Sequence, residues 1–542
     1  MSLLKCFGVS LPVAVALISG CRTRSFNAQA SNLLLDGPIR WESCVFPDIP
    51  ANALPPGVAV DCFVFKVPLD WKQPSGQKID YLVRWVHAVA PHEVTSQVWF
   101  SAGGPGSRGN RAAFSYAAEV AANPTREFFI PDHRGVGRST KLGCGLPQDV
   151  LTPTRLTQND FAKCVTKVKE QWGHQLQFFD VTSAARDAIE VSRLIRNAKA
   201  NFFFEGLSYG TYLTNRIAQL SPDEASGWIM GGYSPGVWIA NDAKNARLAA
   251  TAVLNSLCAG NTICSQKLGE TPEKALLTGV EGLKSGRCNL GSASQAKALI
   301  KFLGEFTQSE GPVLGVFPVI AYRLARCNSK DVAFLNTVVT MATPPGLPPT
   351  TGTIPDLSQI DVGKIPEDTK MEGWFLQQYI LASELFHSRP MPPHDALLAE
   401  LSAEPFFLGD MSQADFLTSF PQYDTSFVNG TYADTKKPVL ILNGSRDKDT
   451  PAALIVPAAQ HYNSPNQHVL VVPWATHGVW QSGPKLLNGT PCSAALREAF
   501  IANPEGSLDT TCLKNAGSLP PIPPLNTPLP SEFGLSDSFW GD

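Results

Sequence analysis

At 542 residues the chain is several times the usual ~100–200-residue domain, so two or three structural units are expected. With 44% hydrophobic and 17% charged residues it can bury a large core, which excludes intrinsic disorder over most of its length. The 44 basic and 47 acidic residues leave a formal net charge of −3 and no basic stripe interleaved with aromatics, which excludes nucleic acid as the expected partner.

The first 21 residues read as a bacterial export signal. Lys5 supplies a thin positive start, and Cys6 to Ile18 form an apolar stretch of signal-peptide length. Leu17-Ile18-Ser19-Gly20-Cys21 has the form of a lipobox, with Cys21 as the lipidated first residue of the mature chain. Cleavage after Ala28-Gln29-Ala30 is the competing reading, and either one exports the protein to the cell envelope or beyond. No later apolar run reaches the ~18–20 residues that would span a bilayer.

Cysteine usage agrees with export. Of 12 Cys, setting aside Cys6 and Cys21 leaves an even ten, as expected in an oxidising compartment. They fall in short-range couples: Cys44 and Cys62, Cys144 and Cys164, Cys258 and Cys264, Cys288 and Cys327, Cys492 and Cys512. The sequence leaves the connectivity open. There is no Cys-x-x-Cys and no His at ligand spacing, so disulfides are expected rather than a metal site.

In chain order, Ile39 to Pro131 reads as β-rich, with strand-period alternation in Cys62–Pro68 and Ile79–Val86. Gln97–Phe100 is a short apolar run ending in Gly103-Gly104-Pro105-Gly106, and Glu127–Pro131 another, ending at Asp132-His133-Arg134-Gly135. Thr182–Arg196 predicts an amphipathic helix, with Ala184, Ala188, Val191 and Ile195 on one stripe. Asn201–Glu205 predicts a buried strand, followed by Gly206-Leu207-Ser208-Tyr209-Gly210 and a helix to Leu220. From about Pro235 to Asp434 helical patterns such as Ala243–Cys258 and Gln377–Phe386 replace the alternation, with a breaker-rich loop at Pro344–Pro355. Alternation returns in Pro438–Gly444, Pro451–His461 and His468–Pro473, and Leu519–Pro530 reads as an extended Pro-rich tail. The pattern predicts an α/β fold with a mostly parallel sheet covered by helices on both faces. Its units are a core over 39–234 and 435–516, an inserted, mainly helical cap over 235–434, and a tail over 517–542.

Gly206-x-Ser208-x-Gly210 between strand and helix fits a nucleophile elbow, the sharp turn that lifts a Ser hydroxyl above a sheet. That hydroxyl needs a base oriented by a carboxylate, in the order Ser, acid, His. His461 falls in a predicted helix and His468 at a strand start. His477, just past the strand in Pro473-Trp-Ala-Thr-His477-Gly478, is therefore the expected base. The acid belongs at the end of the preceding strand, where Gly444-Ser445-Arg446-Asp447-Lys448-Asp449-Thr450-Pro451 offers Asp447 and Asp449; a helix-capping role suits Asp449 better. One oxyanion donor is the backbone N–H after the nucleophile, Tyr209, and the other should come from the glycine loop.

Taken together, Gly103-Gly104-Pro105-Gly106, Asp132-x-Arg134-Gly135-x-Gly137-x-Ser139, Gly-x-Ser208-Tyr209-Gly-Thr211, Gly444-x-x-Asp447-x-x-Thr450-Pro451 and His477-Gly478 resemble a known family. It is the prolyl iminopeptidase and tripeptidyl aminopeptidase family of α/β-hydrolase serine peptidases, especially its secreted, disulfide-containing branch. The resemblance runs from about Trp41 to Cys512 and implies an α/β-hydrolase fold. It also implies Ser208 as nucleophile, Asp447 rather than Asp449 as acid, His477 as base, and Gly104 as the second oxyanion donor. No metal or organic cofactor is implied, and the expected partners are peptides with a free N-terminus. Glu384 falls near where the secreted branch carries an acidic residue that would hold the substrate ammonium. Two positions depart from the family pattern: Ala102 stands where cytosolic members carry His, and Met230-Gly231-Gly232 replaces Leu-Asp-Gly. A secreted esterase with the same triad is the alternative activity.

Overall fold

In the computed structural model the described residues are 34–35, 37–46, 53–144, 158–235, 242–309, 311–342, 373–386, 391–409, 412–425, 432–514 and 520–541. The leader with Cys6, Cys21 and the lipobox, the alternative cleavage point and the Pro344–Pro355 loop lie outside them.

Among the described residues nine strands form one sheet in the order β1-β2-β3-β5-β4-β6-β7-β8-β9. They are β1 (Glu42–Ser43), β2 (Val58–Pro68), β3 (Lys78–Ala88), β4 (Ser96–Ser101), β5 (Arg126–Pro131), β6 (Asn201–Leu207), β7 (Gly227–Gly231), β8 (Val439–Gly444) and β9 (Gln467–Val472). β1, β2 and β3 pair antiparallel, β3 pairs antiparallel with β5, and every pairing from β5 through β9 is parallel. The central strands β4, β5, β7 and β8 are buried along their whole length because both faces of the sheet are covered. Alternate side chains serve opposite faces. Trp99, Phe129, Phe204 and Trp228 pack toward helices Val181–Ile195 and Tyr209–Leu220. Val98, Phe128, Phe203 and Ile229 pack toward helices Asn110–Ala122 and Cys492–Ala502. This is the α/β-hydrolase fold, with Ser208 at the turn between β6 and the helix that follows it.

Between β7 and β8 the described residues form helices rather than strands. Asp242–Cys258, Pro272–Lys284, Ala293–Phe306, Phe317–Arg326 and Ser329–Ala342 enclose a second core around Leu254, Leu276, Leu303, Ile320 and Phe334. The tail belongs to this core. Ile522, Leu529 and Trp540 are buried in it, and Phe533 stacks on Phe334 at 5.5 Å. Arg323 donates to the Phe539 carbonyl (2.6 Å) and to Asp537 (2.9 Å), while Arg326 reaches the carbonyls of Trp540 (3.1 Å) and Gly541 (3.2 Å). The sequence reads this stretch as extended because of its prolines. Its docking depends on isolated apolar side chains and two arginines some 200 residues earlier, which local pattern does not reveal.

Among the described residues there are five disulfides, each within one of the short-range couples: Cys44–Cys62, Cys144–Cys164, Cys258–Cys264, Cys288–Cys327 and Cys492–Cys512. Two of them lie in the cap. Among the described residues, no helix is long and apolar enough to cross a membrane.

Candidate active site

The strand-to-helix turn holds Ser208 at φ 57° and ψ −128°, a conformation rare for any residue with a side chain. It is feasible because its neighbours lack one. A Cβ on Gly206 would lie 2.3 Å from the Gly210 carbonyl oxygen, and one on Gly210 would lie 2.0 Å from that of Ser101. The Ser208 N–H donates to the Gly231 carbonyl at 3.0 Å, tying the elbow to the next strand.

Asp447 stands just beyond β8 and is fully buried. One carboxylate oxygen accepts the N–H groups of Asp449 (2.9 Å) and Thr450 (2.8 Å), and the other accepts the Thr450 hydroxyl (2.7 Å). These bonds aim the carboxylate at His477, whose Nδ1 lies 2.8 and 3.0 Å from its two oxygens. Asp449 pairs instead with Lys448 at 3.0 Å, and the short helix beyond Pro451 has no side-chain cap, so the capping role expected of Asp449 is not taken. Burial alone would depress the His477 pKa. The bond to Asp447 and the charges of Asp447 and Asp449 outweigh it, and the net direction is upward. Ligand atoms of Asp447, Asp449 and His477 lie within 4.8 Å of one another, the spacing of a candidate metal site. The donor set fits a cation poorly, because two N–H groups and a hydroxyl point at the same Asp447 oxygens.

Ser208, His477, Gly103 and Gly104 line one cleft of about 840 Å3. Gly103 lies directly over the hydroxyl: a Cβ there would be 3.6 Å from Ser208 Oγ. Gly104 has φ +110°, reserved to glycine, and opens the turn through Pro105. Tyr209 begins the helix, where first-turn N–H groups lack intrahelical partners. Its phenol donates to His133 Nε2 at 3.1 Å, because His133 Nδ1 faces the Arg134 carbonyl at 2.7 Å and must carry the proton. Burial pushes His133 down to about 4, keeping it neutral.

Glu384 requires a correction. The carboxylate expected to meet a substrate ammonium is fully buried and occupied: it accepts Tyr212 (2.6 Å), Tyr423 (2.6 Å) and Arg216 (3.0 Å). It sits in a π-helical turn, Leu381–Leu385, and fastens that turn to the helix Tyr209–Leu220 that follows Ser208. An acidic residue in a helical run reads the same in sequence whether it faces a ligand or a distant arginine.

The Asp132-x-Arg134-Gly135 motif is a scaffold for these loops. Asp132 receives a forked pair from Arg84 (2.7 and 3.0 Å) and the N–H groups of Gly109 and Arg138. Arg134 forks onto Asp187 (2.7 and 2.5 Å) and holds three carbonyls of neighbouring segments. The departure at Gly231 also has a reason. A Cβ there would lie 2.6 Å from the Trp480 indole, which fills the space and lines the cleft. Sequence reasoning assigned no role to His133, Thr450 or Trp480, although His133 and Thr450 stand inside the motifs and Trp480 lies three residues past His477.

No family model and no curated protein sequence matches the chain. Among solved structures it is similar to a proline iminopeptidase from Mycobacterium smegmatis, at 16% identity and TM-score 0.30, covering 81% of this chain and 95% of that one. It is also similar to a thermophilic esterase from Thermogutta terrifontis, at 13% and 0.30, covering 77% and 91%. A third is a peroxisomal alpha-beta-hydrolase from Saccharomyces cerevisiae, at 13% and 0.33, covering 87% and 94%. Fold hosts many chemistries, so function has to come from the site.

Proposed function

We propose that the chain is an exported serine hydrolase that removes a residue or short peptide from the N-terminus of peptides by acyl transfer. The observation that carries this reading is the Asp447–His477 pair, bonded at 2.8 Å, opening on the same cleft as Ser208 on its elbow. Ser208 attacks the scissile carbonyl while His477 takes its proton. The N–H groups of Gly104 and Tyr209 hold the negative oxygen of the tetrahedral intermediate. His477 returns the proton to the leaving amine, and water then releases the acyl group by the same route. Each step uses the chain's own groups and water. The five disulfides support an oxidising destination.

The second reading is a carboxylesterase. One observation favours it: Glu384 is occupied by Arg216 and two tyrosines, so it is not the anchor for a free ammonium. A single panel separates the two. Purified protein is given aminoacyl and tripeptidyl chromogenic substrates, each with a free or an acylated N-terminus, together with short acyl esters. The exopeptidase reading expects free-amine substrates to be cleaved at least ~10²-fold better than blocked ones. Preference for blocked peptides or esters would install the esterase instead. A fluorophosphonate should label Ser208 alone, and Ser208→Ala should lose several orders of magnitude in turnover with the fold intact. Labelling at another serine would remove the triad.

A further inference from the structure

The loop that carries Asp447 does not stand alone. Arg446, beside it, is 5% exposed and lies outside the cleft lining. Its Nε donates to the Trp474 carbonyl at 2.9 Å, and its backbone N–H donates to the Ala475 carbonyl at 2.9 Å. Both acceptors belong to the loop that ends in His477. The same loop is stitched a second time, by the Trp474 N–H on Ser445 Oγ at 2.8 Å. Arg446 Nη1 also donates to the carbonyl of Ser309, just past the cap helix Ala293–Phe306, and Gln308 Nε2 returns a bond to the Arg446 carbonyl at 2.5 Å. Two further cap residues reach this loop: Asn245 donates to the Asp449 carbonyl at 3.1 Å, and Glu305 faces Lys448 at 3.4 Å.

We infer that Arg446 is a positioning residue for the triad, fastening the Asp447 loop to the His477 loop and both to the cap, so that triad alignment depends on the cap being seated. The inference rests on the triad assigned above. A planar guanidinium suits the task because its fork spans carbonyls in two directions, which a lysine ammonium at the end of a flexible stem does not reproduce. Alignment is what the task requires, since a displacement of about 1 Å at a catalytic group costs on the order of 10²-fold in rate. The cap therefore contributes to chemistry from a place that touches no reacting atom.

The test uses the full chain and four variants: Arg446→Met, Arg446→Lys, Gln308→Ala, and Gln308→Ala combined with Asn245→Ala. The readouts are the rate of fluorophosphonate labelling at Ser208, kcat and KM on the best substrate of the panel, and the acidic limb of kcat/KM. Arg446→Met should lose roughly 10²-fold in labelling rate and kcat with KM little changed. Arg446→Lys should recover part of that loss, and the two cap-side variants should fall several-fold in the same direction. The acidic limb should move to lower pH, because His477 is held up by Asp447 and Asp449 against burial and Lys448, and misalignment weakens the Asp447 contribution. Simple destabilisation lowers the folded fraction but leaves that limb in place. A folded Arg446→Met protein with the wild-type labelling rate and limb would overturn the inference, as would a loss matched wholly by unfolding. If Arg446→Met does not fold, the double cap-side variant decides: wild-type rates and an unmoved limb there overturn the coupling. A wild type that does not label at Ser208 removes the triad and the inference with it, whereas a labelled wild type with unaffected variants removes the inference alone.

Discussion

Asp447 and Asp449 are two residues apart, and the fold separates their surroundings completely. Asp447 is buried among three donors and His477, while Asp449 is part-exposed beside Lys448. Asp447→Asn should cost roughly 10³–10⁴ in kcat, because the amide no longer holds the tautomer His477 needs. Asp449→Asn should cost less than ~10-fold, and steady-state kinetics showing the opposite ranking would move the acid to Asp449. The pH profile adds a sign. As the proposed base, His477 must be neutral, and its pKa is raised, so kcat/KM should fall as the pH drops through a value above 6.5. In Asp447→Asn the residual activity should persist to lower pH, since its main upward influence is gone. The sharp turn at Ser208 and the loop that carries His477 past its strand were legible because an elbow and a post-strand loop are local patterns. Glu384 was misjudged because its partners Arg216 and Tyr212 are set by packing, and no local pattern records them.

At the scale of elements, the parallel strands were legible from apolar runs such as Gln97–Phe100 and Pro438–Gly444, which fall in β4 and β8 with shifts of a residue or so. Burial on both faces imposes such runs, so period and composition agree. The helix at Thr182–Arg196 was legible too, and its start is fixed by Asp180, whose side chain accepts the Ser183 N–H. The tail was not. Its prolines announce an extended chain, but only the folded cap provides the groove that Trp540 fills with no exposure. Trp540 also donates its indole N–H to the Pro523 carbonyl at 2.8 Å, closing the tail on itself. Trp540→Ala should therefore destabilise the cap by about 3–5 kcal/mol, the cost of emptying a large aromatic site. Chemical denaturation followed by circular dichroism would measure it, and an unchanged midpoint would mean that the tail is an ornament rather than a strap.

Over the whole molecule, the two halves of the sheet are joined only after an insertion of about 200 residues, so β7 and β8 must meet across a long stretch of chain. Closing such a loop carries an entropic cost that grows slowly with length, and non-local pairing slows folding. The disulfides act on that same quantity locally. They bridge sequence separations of 18, 20, 6, 39 and 20 residues. In the chain-entropy view the longest, Cys288–Cys327, stabilises by about 4 kcal/mol and the shortest, Cys258–Cys264, by about 2. Both lie in the cap, which makes them a matched pair for comparison. Non-reducing peptide mapping of material from an oxidising compartment should find these five links, with no free thiol other than Cys6 or Cys21. Removing Cys288–Cys327 by paired Cys→Ser substitution should then lower the denaturation midpoint more than removing Cys258–Cys264. Because the cap reaches the loops of Asp447 and His477 through Gln308, Ser309 and Arg446, the first pair should also lower the labelling rate at Ser208 under mild denaturant, before the sheet itself unfolds. Equal midpoints for the two pairs would locate their stabilisation in native contacts, and labelling that tracks global unfolding would make cap and sheet one cooperative unit.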